Sequence, residues 1–342
     1  MPELPFSEHG GDLSAARLAY PQAPEPWLDL STGVNPYSYP FIELPAECLT
    51  RLPDTSELRA LEAAAAKAYS APAHTEVVAA PGTQAMINWL PRLLPARRVG
   101  ILGFTYCEFA RSWAANGAKV TIAAELAELQ HQDVAIIVNP NNPDGRLIAA
   151  QDLLALAATL LAQGGFLIVD EAFVDLEPSA SVVPQMPTNG VMVLRSFGKT
   201  YGLPGLRLGF TIAPDQIATR LRTTLGPWPV SGASIIIGTR ALLDRDWLAV
   251  TRERVQSDIA AFDKILAAAG FAFVGGNALF RLVRHSQAQL CFERLARAGI
   301  LARRFDTHPD WLRFGIIASH AGRRRLRGAL GLGLDALKIE TE

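Results

Sequence analysis

The chain contains five lysines, and Lys199 is the one whose neighbours suit chemistry. It lies in Leu194-Arg195-Ser196-Phe197-Gly198-Lys199-Thr200-Tyr201-Gly202-Leu203-Pro204-Gly205-Leu206-Arg207-Leu208-Gly209-Phe210. Ser196 precedes the lysine by three residues, Arg207 follows by eight, and four glycines thin the bulk around it. An amine among small residues can be approached closely by a ligand. A hydroxyl and a guanidinium beside it can hold an anion. These are the needs of a lysine that forms a Schiff base with pyridoxal phosphate.

Three further segments match that chemistry. Val169-Asp170-Glu171-Ala172-Phe173 follows the apolar run Phe166-Leu167-Ile168, and ligands of open α/β sheets bind beyond the carboxyl ends of strands. A carboxylate at Asp170 could keep a pyridine nitrogen protonated and make the ring an electron sink. Asn139-Pro140-Asn141-Asn142-Pro143-Asp144-Gly145 follows the apolar run Ala135 to Val138, and its Pro and Gly stiffen a turn that presents side-chain amides. Ala80-Pro81-Gly82-Thr83-Gln84 opens a helix whose free N–H groups suit a phosphate, with Ser196 and Arg207 as further ligands for it. Tyr106 follows the run Val99 to Phe104 and could stack on a ring.

These segments need a frame. Strands are expected at 99–104, 119–123, 134–138, 166–170, 191–194 and 206–212, with helices near 83–94, 107–116 and 150–163. Continuous apolar strands with helical crossovers imply an α/β fold, a mainly parallel sheet covered on both faces. Before it, Asp54-Thr55-Ser56-Glu57 is good helix-start chemistry. Residues 1–45 are rich in Pro and Gly and read as an arm, 46–235 as the large domain, and 236–342 as a smaller C-terminal α+β domain. In that last part, helices are expected near 231–243, 246–269, 286–298 and from 320, with strands near 271–274, 278–283 and 311–316.

The 342 residues are 49% hydrophobic, enough for a large core, and the net charge of -1 points neither to nucleic acid nor to an acidic membrane surface. Cys48, Cys107 and Cys291 are widely spaced and odd in number, which suits a reducing, cytoplasmic setting. The start Met1-Pro2-Glu3-Leu4-Pro5 lacks a signal-peptide pattern, and no apolar run is long enough to span a bilayer. His74, His131, His285, His308 and His320 have no metal-ligand spacing, so no metal site is expected.

Taken in order, PGTQ, TY, NPNNPDG, VDEAF and SFGKTYGLPGLRLGF resemble the fold-type I pyridoxal-phosphate enzymes, in the histidinol-phosphate aminotransferase branch. Within that branch, His9-Gly10-Gly11-Asp12, Leu28-Asp29-Leu30-Ser31-Thr32-Gly33-Val34-Asn35-Pro36, Phe173 in place of a usual Tyr, and Gly226-Pro227-Trp228-Pro229-Val230-Ser231 look like the L-threonine-O-3-phosphate decarboxylases of cobalamin biosynthesis. The resemblance implies a large domain with a mainly parallel seven-stranded sheet, a smaller C-terminal domain and a homodimer. It implies Lys199 as the Schiff-base lysine, Asp170 as the pyridinium partner, Asn142 at the phenolic oxygen, Tyr106 as the stacking ring, and Gly82, Thr83, Ser196 and Arg207 at the cofactor phosphate. For the substrate, a small phosphorylated amino acid, it implies His9, Gly10, Gly33, Arg303 and Arg313, with Arg304 competing with Arg303. Asn277 is either structural or a carboxylate contact. Leu52 stands where relatives commonly carry a Tyr that reaches the neighbouring subunit's cofactor phosphate, and Ser231 where some decarboxylases have Asn.

The expected activity is decarboxylation of threonine phosphate to (R)-1-amino-2-propanol O-2-phosphate. An aminotransferase of the histidinol-phosphate type is the alternative, since Lys199 and Asp170 serve both. A non-catalytic binding domain is disfavoured by retention of Lys199, Asp170, Asn142 and Arg207. A nicotinamide-dependent dehydrogenase is disfavoured because no GxGxxG follows an early strand.

Overall fold

The computed structural model describes residues 9–40 and 43–332. The first part of the expected arm, 1–8, residues 41–42 and the last ten residues of the C-terminal region lie outside the described residues. In chain order the strands are β1 Leu28–Asp29, β2 Thr75–Ala80, β3 Arg98–Leu102, β4 Lys119–Ala123, β5 Val134–Val138, β6 Phe166–Asp170, β7 Val191–Ser196, β8 Gly209–Pro214, β9 Ala272–Asn277, β10 Phe280–Arg284, β11 Ile300–Leu301, β12 Arg303–Arg304 and β13 Trp311–Gly315. The chain divides into two compact units. The larger comprises Ser38–Asn142 and Arg146–Leu248; the smaller comprises Met1–Tyr37, Pro143–Gly145 and Ala249–Glu342.

The larger unit is built on a seven-stranded sheet in the order β2-β8-β7-β6-β5-β3-β4. All neighbours in β7-β6-β5-β3-β4 run parallel, and β8 runs antiparallel to both β7 and β2. Successive side chains of a strand point to opposite faces. Accordingly Ala135, Ile137, Leu167, Val169, Val191 and Val193 enter one core. Val134, Ile136, Val138, Ile168, Met192 and Leu194 enter another on the opposite face. Both faces are therefore dry, which explains the unbroken apolar runs that announced these strands. The 14-residue helix Thr55–Ala68 starts with a capping box, in which Asp54 accepts from backbone and the Glu57 side chain reaches back to the Asp54 N–H.

Two elements of this unit differ from expectation. β2 was not singled out as a strand, although it is the one that leads into Gly82. β8 begins at Gly209 and not at 206, because Pro204–Leu206 forms a 3-10 turn and Arg207 then takes a left-handed conformation at φ 50°.

The smaller unit holds a four-stranded antiparallel sheet, order β12-β13-β10-β9, and a two-stranded parallel ribbon of β1 with β11. The helices Arg245–Ala268, Ala288–Arg297 and His320–Ala329 accompany it, the first of these starting within the larger unit. Its core gathers Phe262, Phe271, Phe292, Leu295, Leu312 and Phe314. Residues 9–37 group with this unit, and Leu28 and Asp29 pair with Ile300 and Leu301.

Candidate active site

In the larger unit every expected cofactor residue falls at one edge of the sheet. Tyr106, Asn142, Asp170 and Lys199 lie at or just after the carboxyl ends of β3, β5, β6 and β7. β8 is antiparallel, so its beginning lies at that same edge, and Arg207 stands two residues before it. The register places Ala80, Gly209 and Ser196 side by side across β2, β8 and β7. Gly82, Thr83, Arg207 and Ser196, four residues scattered over 125 positions of sequence, thereby converge.

Their convergence is tight enough to need glycine. A Cβ on Gly82 would stand 2.7 Å from Nη2 of Arg207, and Gly82 has φ +81°. A Cβ on Gly209 would stand 2.7 Å from the Thr83 nitrogen. Gly82 caps the helix Thr83–Leu93, whose first N–H groups have no intrahelical acceptor. A guanidinium, a hydroxyl at Ser196 and a helix start meeting in one place suit a phosphate dianion.

Asp170 is buried, 4% exposed, and accepts a hydrogen bond from the Ala172 N–H at 3.1 Å. Burial pushes its carboxyl up to about 7; the Ala172 N–H and the Lys199 ammonium oppose the rise, and the charge of Glu171 adds to it. Such a carboxyl gains from a cationic partner. Lys199 lies in the short helix Phe197–Thr200, with Nζ 5.6 Å from the centroid of the buried Phe173 ring. The turn that carries Lys199 is braced from behind. Phe197 stacks on Tyr201 at 4.4 Å, and Tyr201 stacks on Trp247 at 5.5 Å.

Tyr106 donates to Oε1 of Gln84 at 2.8 Å, which ties the start of the helix Cys107–Ala115 to the first turn of Thr83–Leu93. Its phenol is pushed up to about 12, by burial first and by Glu108, Cys107 and Asp170 next. The loop that ends in Asn142 is pinned by its two earlier asparagines. Asn139 exchanges hydrogen bonds with Ile148 at 3.0 and 2.8 Å, and the Asn141 amide donates to the Phe104 carbonyl at 3.0 Å. Those two structural roles were not read from the sequence.

A buried charge cluster behind this edge was also missed. Arg195 donates to Glu171 at 2.6 Å and pairs with Asp175, while Ser181 and the Val182 N–H donate to Glu171 at 2.7 and 2.6 Å. The Arg195 guanidinium also lies 4.2 Å over the Tyr69 ring. The signal existed: an Arg inside an apolar strand demands a buried acid.

The expected substrate residues all fall in the smaller unit. β12 and β13 set Arg303 directly opposite Arg313, and β10 sets Leu282 opposite Arg313. Directly opposed residues share a face. Arg303, Arg313 and Leu282 thus point one way, and Arg304 points the other, over the core ring of Phe292. Of the two arginines between which the sequence left the choice open, Arg303 is the one beside Arg313. Arg313 is 6% exposed and donates to the Ser31 carbonyl at 2.6 Å. Burial holds its guanidinium below the usual range, and the like charge of Arg303 pushes the same way, opposed by Asp29.

The arm lies against this sheet. The Gly315 N–H donates to the Leu30 carbonyl at 2.6 Å, and the Gly11 N–H donates to Oγ of Ser31 at 2.7 Å. A Cβ on Gly10 would overlap the Ser31 carbonyl. Gly33 is buried, while His9 is exposed. Asn277 uses its side-chain oxygen to accept from the Leu279 N–H at 2.8 Å, shaping the turn into β10. Its amide nitrogen is buried without a partner among the described residues. Leu52 is 66% exposed.

The profile of the aminotransferase class I and II family matches residues 27–327. The chain belongs to this family. It is a pyridoxal-phosphate family, and the strand-edge cluster fits that cofactor: the Gly82 cradle suits its phosphate, and the buried, raised carboxyl of Asp170 suits a cationic ring nitrogen. This family member is 44% identical to a threonine-phosphate decarboxylase of Sinorhizobium sp, over 94% of this chain and 97% of that one. It is 39% identical to a threonine-phosphate decarboxylase of Pseudomonas aeruginosa, again over 94% and 97%. A solved histidinol-phosphate aminotransferase of Sinorhizobium meliloti, in complex with pyridoxal-5'-phosphate, shares the fold with a TM-score of 0.79 at 20% identity, covering 96% of each chain. Among the described residues, no helix is long and apolar enough to cross a membrane.

Proposed function

We propose that this protein decarboxylates L-threonine O-3-phosphate to (R)-1-amino-2-propanol O-2-phosphate, as a homodimer in the cytoplasm, in cobalamin biosynthesis. The observation that carries the reading is end-to-end similarity to threonine-phosphate decarboxylases at 44% and 39% identity, supported by the convergence of Gly82, Thr83, Ser196 and Arg207 at one edge of the larger sheet.

Pyridoxal phosphate, when bound, supplies an aldehyde for the substrate amine and a ring that accepts the electron pair left when a bond at the α-carbon breaks. The chain's residues do the rest. Lys199 would hold the cofactor through its side-chain amine, and that amine is the proposed donor of the proton that replaces CO2 on the α-carbon. Asp170 holds a proton on the ring nitrogen. Tyr106 and Asn142 would hold the ring, and Gly82, Thr83, Ser196 and Arg207 would hold the phosphate. Arg313 and Arg303, directly opposed across β13 and β12, are proposed to bind the anionic ends of the substrate with His9, Gly10 and Gly33. Asn277 contributes an amide donor there.

Which bond breaks depends on how those anionic ends are gripped, because the ring serves carboxylate and hydrogen departure alike. The test is a substrate comparison of threonine phosphate with histidinol phosphate, reading CO2 and keto product. The expected result is CO2 from threonine phosphate without consumption of a keto-acid acceptor. A keto product from histidinol phosphate overturns the substrate assignment.

A further inference from the structure

The buried cluster of Arg195, Glu171, Asp175 and Ser181 takes no part in the chemistry just described, yet it sits directly behind it. Glu171 follows Asp170 in sequence, and its N–H bonds to the Leu194 carbonyl at 2.9 Å, locking the ends of β6 and β7 together. Arg195 adjoins Ser196 and precedes Lys199 by four residues. All four side chains are 7% exposed or less. Here two acids and one guanidinium are gathered where an unpaired charge would be costly.

We propose that Arg195 is a positioning residue for the cofactor's acid partner: by pairing Glu171 and Asp175 it offsets part of the negative charge that would otherwise favour a proton on Asp170, and so favours the carboxylate that meets a cationic ring. This rests on the proposed pairing of Asp170 with the cofactor. The geometry supports a charge role beyond packing. Glu171 is fully committed, to Arg195, Ser181 and Val182, and none of these groups is the cofactor's. The titratable groups facing Asp170 are Lys199, Glu171 and Tyr106. Those facing Arg195 are Glu171, Asp175, Tyr69 and Tyr201. Desolvation works against the charge of Arg195, and Asp175 and Glu171 outweigh it, so the guanidinium stays charged. Burial and Glu171 both raise the carboxyl of Asp170. The sign follows. A raised acid is protonated below its pKa, so affinity for a cationic ring falls as pH drops through about 7.

The experiment measures the dissociation constant of pyridoxal phosphate against pH, by equilibrium dialysis, for the full chain and its variants. The cofactor's own titrations are common to all of them and cancel in the comparison. Glu171→Gln removes a charge with little change of shape and leaves Arg195 paired with Asp175. Its acid limb moves to lower pH, by about half a unit. Arg195→Met leaves Glu171 and Asp175 without their cation, and its acid limb moves to higher pH by about one unit. A purely structural role would weaken binding at every pH and move neither limb. If Arg195→Met does not fold, Glu171→Gln decides alone. Overlay of its acid limb on that of the unaltered protein, or movement of both variants in the same direction, overturns the proposal. If the unaltered protein does not bind pyridoxal phosphate, the functional reading fails instead, and the two failures are distinguishable.

Discussion

The strand edge of the larger unit and the arginine face of the smaller one reach their chemistry by different routes. At the strand edge, Tyr106, Asn142, Asp170 and Lys199 each lie at the end of a buried parallel strand or within four positions of it, so the sheet's register aligns them. On the arginine face, Arg303 and Arg313 come from a strand of two residues and a strand of five, and the arm residue Ser31 is 282 positions from its Arg313 partner. The first site is local and repetitive in its logic. The second is assembled by long-range pairing. A local site leaves its mark in motifs, whereas a long-range one leaves isolated residues whose meaning depends on pairing.

The sharpest break in this comparison would come at Lys199. Lys199→Ala is expected to abolish borohydride-fixable attachment of pyridoxal phosphate and to lower CO2 release by roughly a thousand-fold or more. Peptide mapping of the reduced protein checks it. A covalent tag at any other lysine would remove the strand edge as the reactive site.

A smaller effect tests the arginine face. Arg303→Met is expected to raise the KM for threonine phosphate about 10- to 100-fold, the size of a lost charge-assisted hydrogen bond. Arg304→Met, on the opposite face over Phe292, is expected to hold KM within about twofold and to act on stability instead. Steady-state kinetics with melting curves for both variants separates them. Equal KM effects would mean that strand register does not decide which arginine meets the substrate.

The same contrast explains what was legible in the sequence. β3 and β5 to β7 were visible because both faces of the sheet are buried there, and such strands read as apolar runs. Lys199, Asp170 and Asn142 were visible because they punctuate those runs. β2 was harder, since Thr75-Glu76-Val77-Val78-Ala79-Ala80 carries an exposed Glu on an edge strand and has ordinary alanines. Arg195 was passed over because its partners lie 24 and 20 positions away, on loops without periodicity. The choice between Arg303 and Arg304 was open because adjacent residues of a strand face opposite ways, and only the pairing with Arg313 fixes which is which.

The finest test compares two glycines from quoted motifs, one in each unit. Gly10 lies in the arm, where an added Cβ would overlap the Ser31 carbonyl, and that carbonyl is already held by Arg313. Backbone cannot step aside as a side-chain tip can. Gly10→Ala is therefore expected to cost about 1–3 kcal/mol of stability, the range for forced overpacking. Gly205 lies in the 3-10 turn Pro204–Leu206 and would bring its Cβ within 4 Å of nothing. Gly205→Ala restricts the unfolded chain without a clash and is expected to add about 0.5 kcal/mol. Denaturant melts of both variants measure the pair. If Gly10→Ala melts like the unaltered protein, the arm does not press on the arginine face, and the long-range assembly of that face loses its main support.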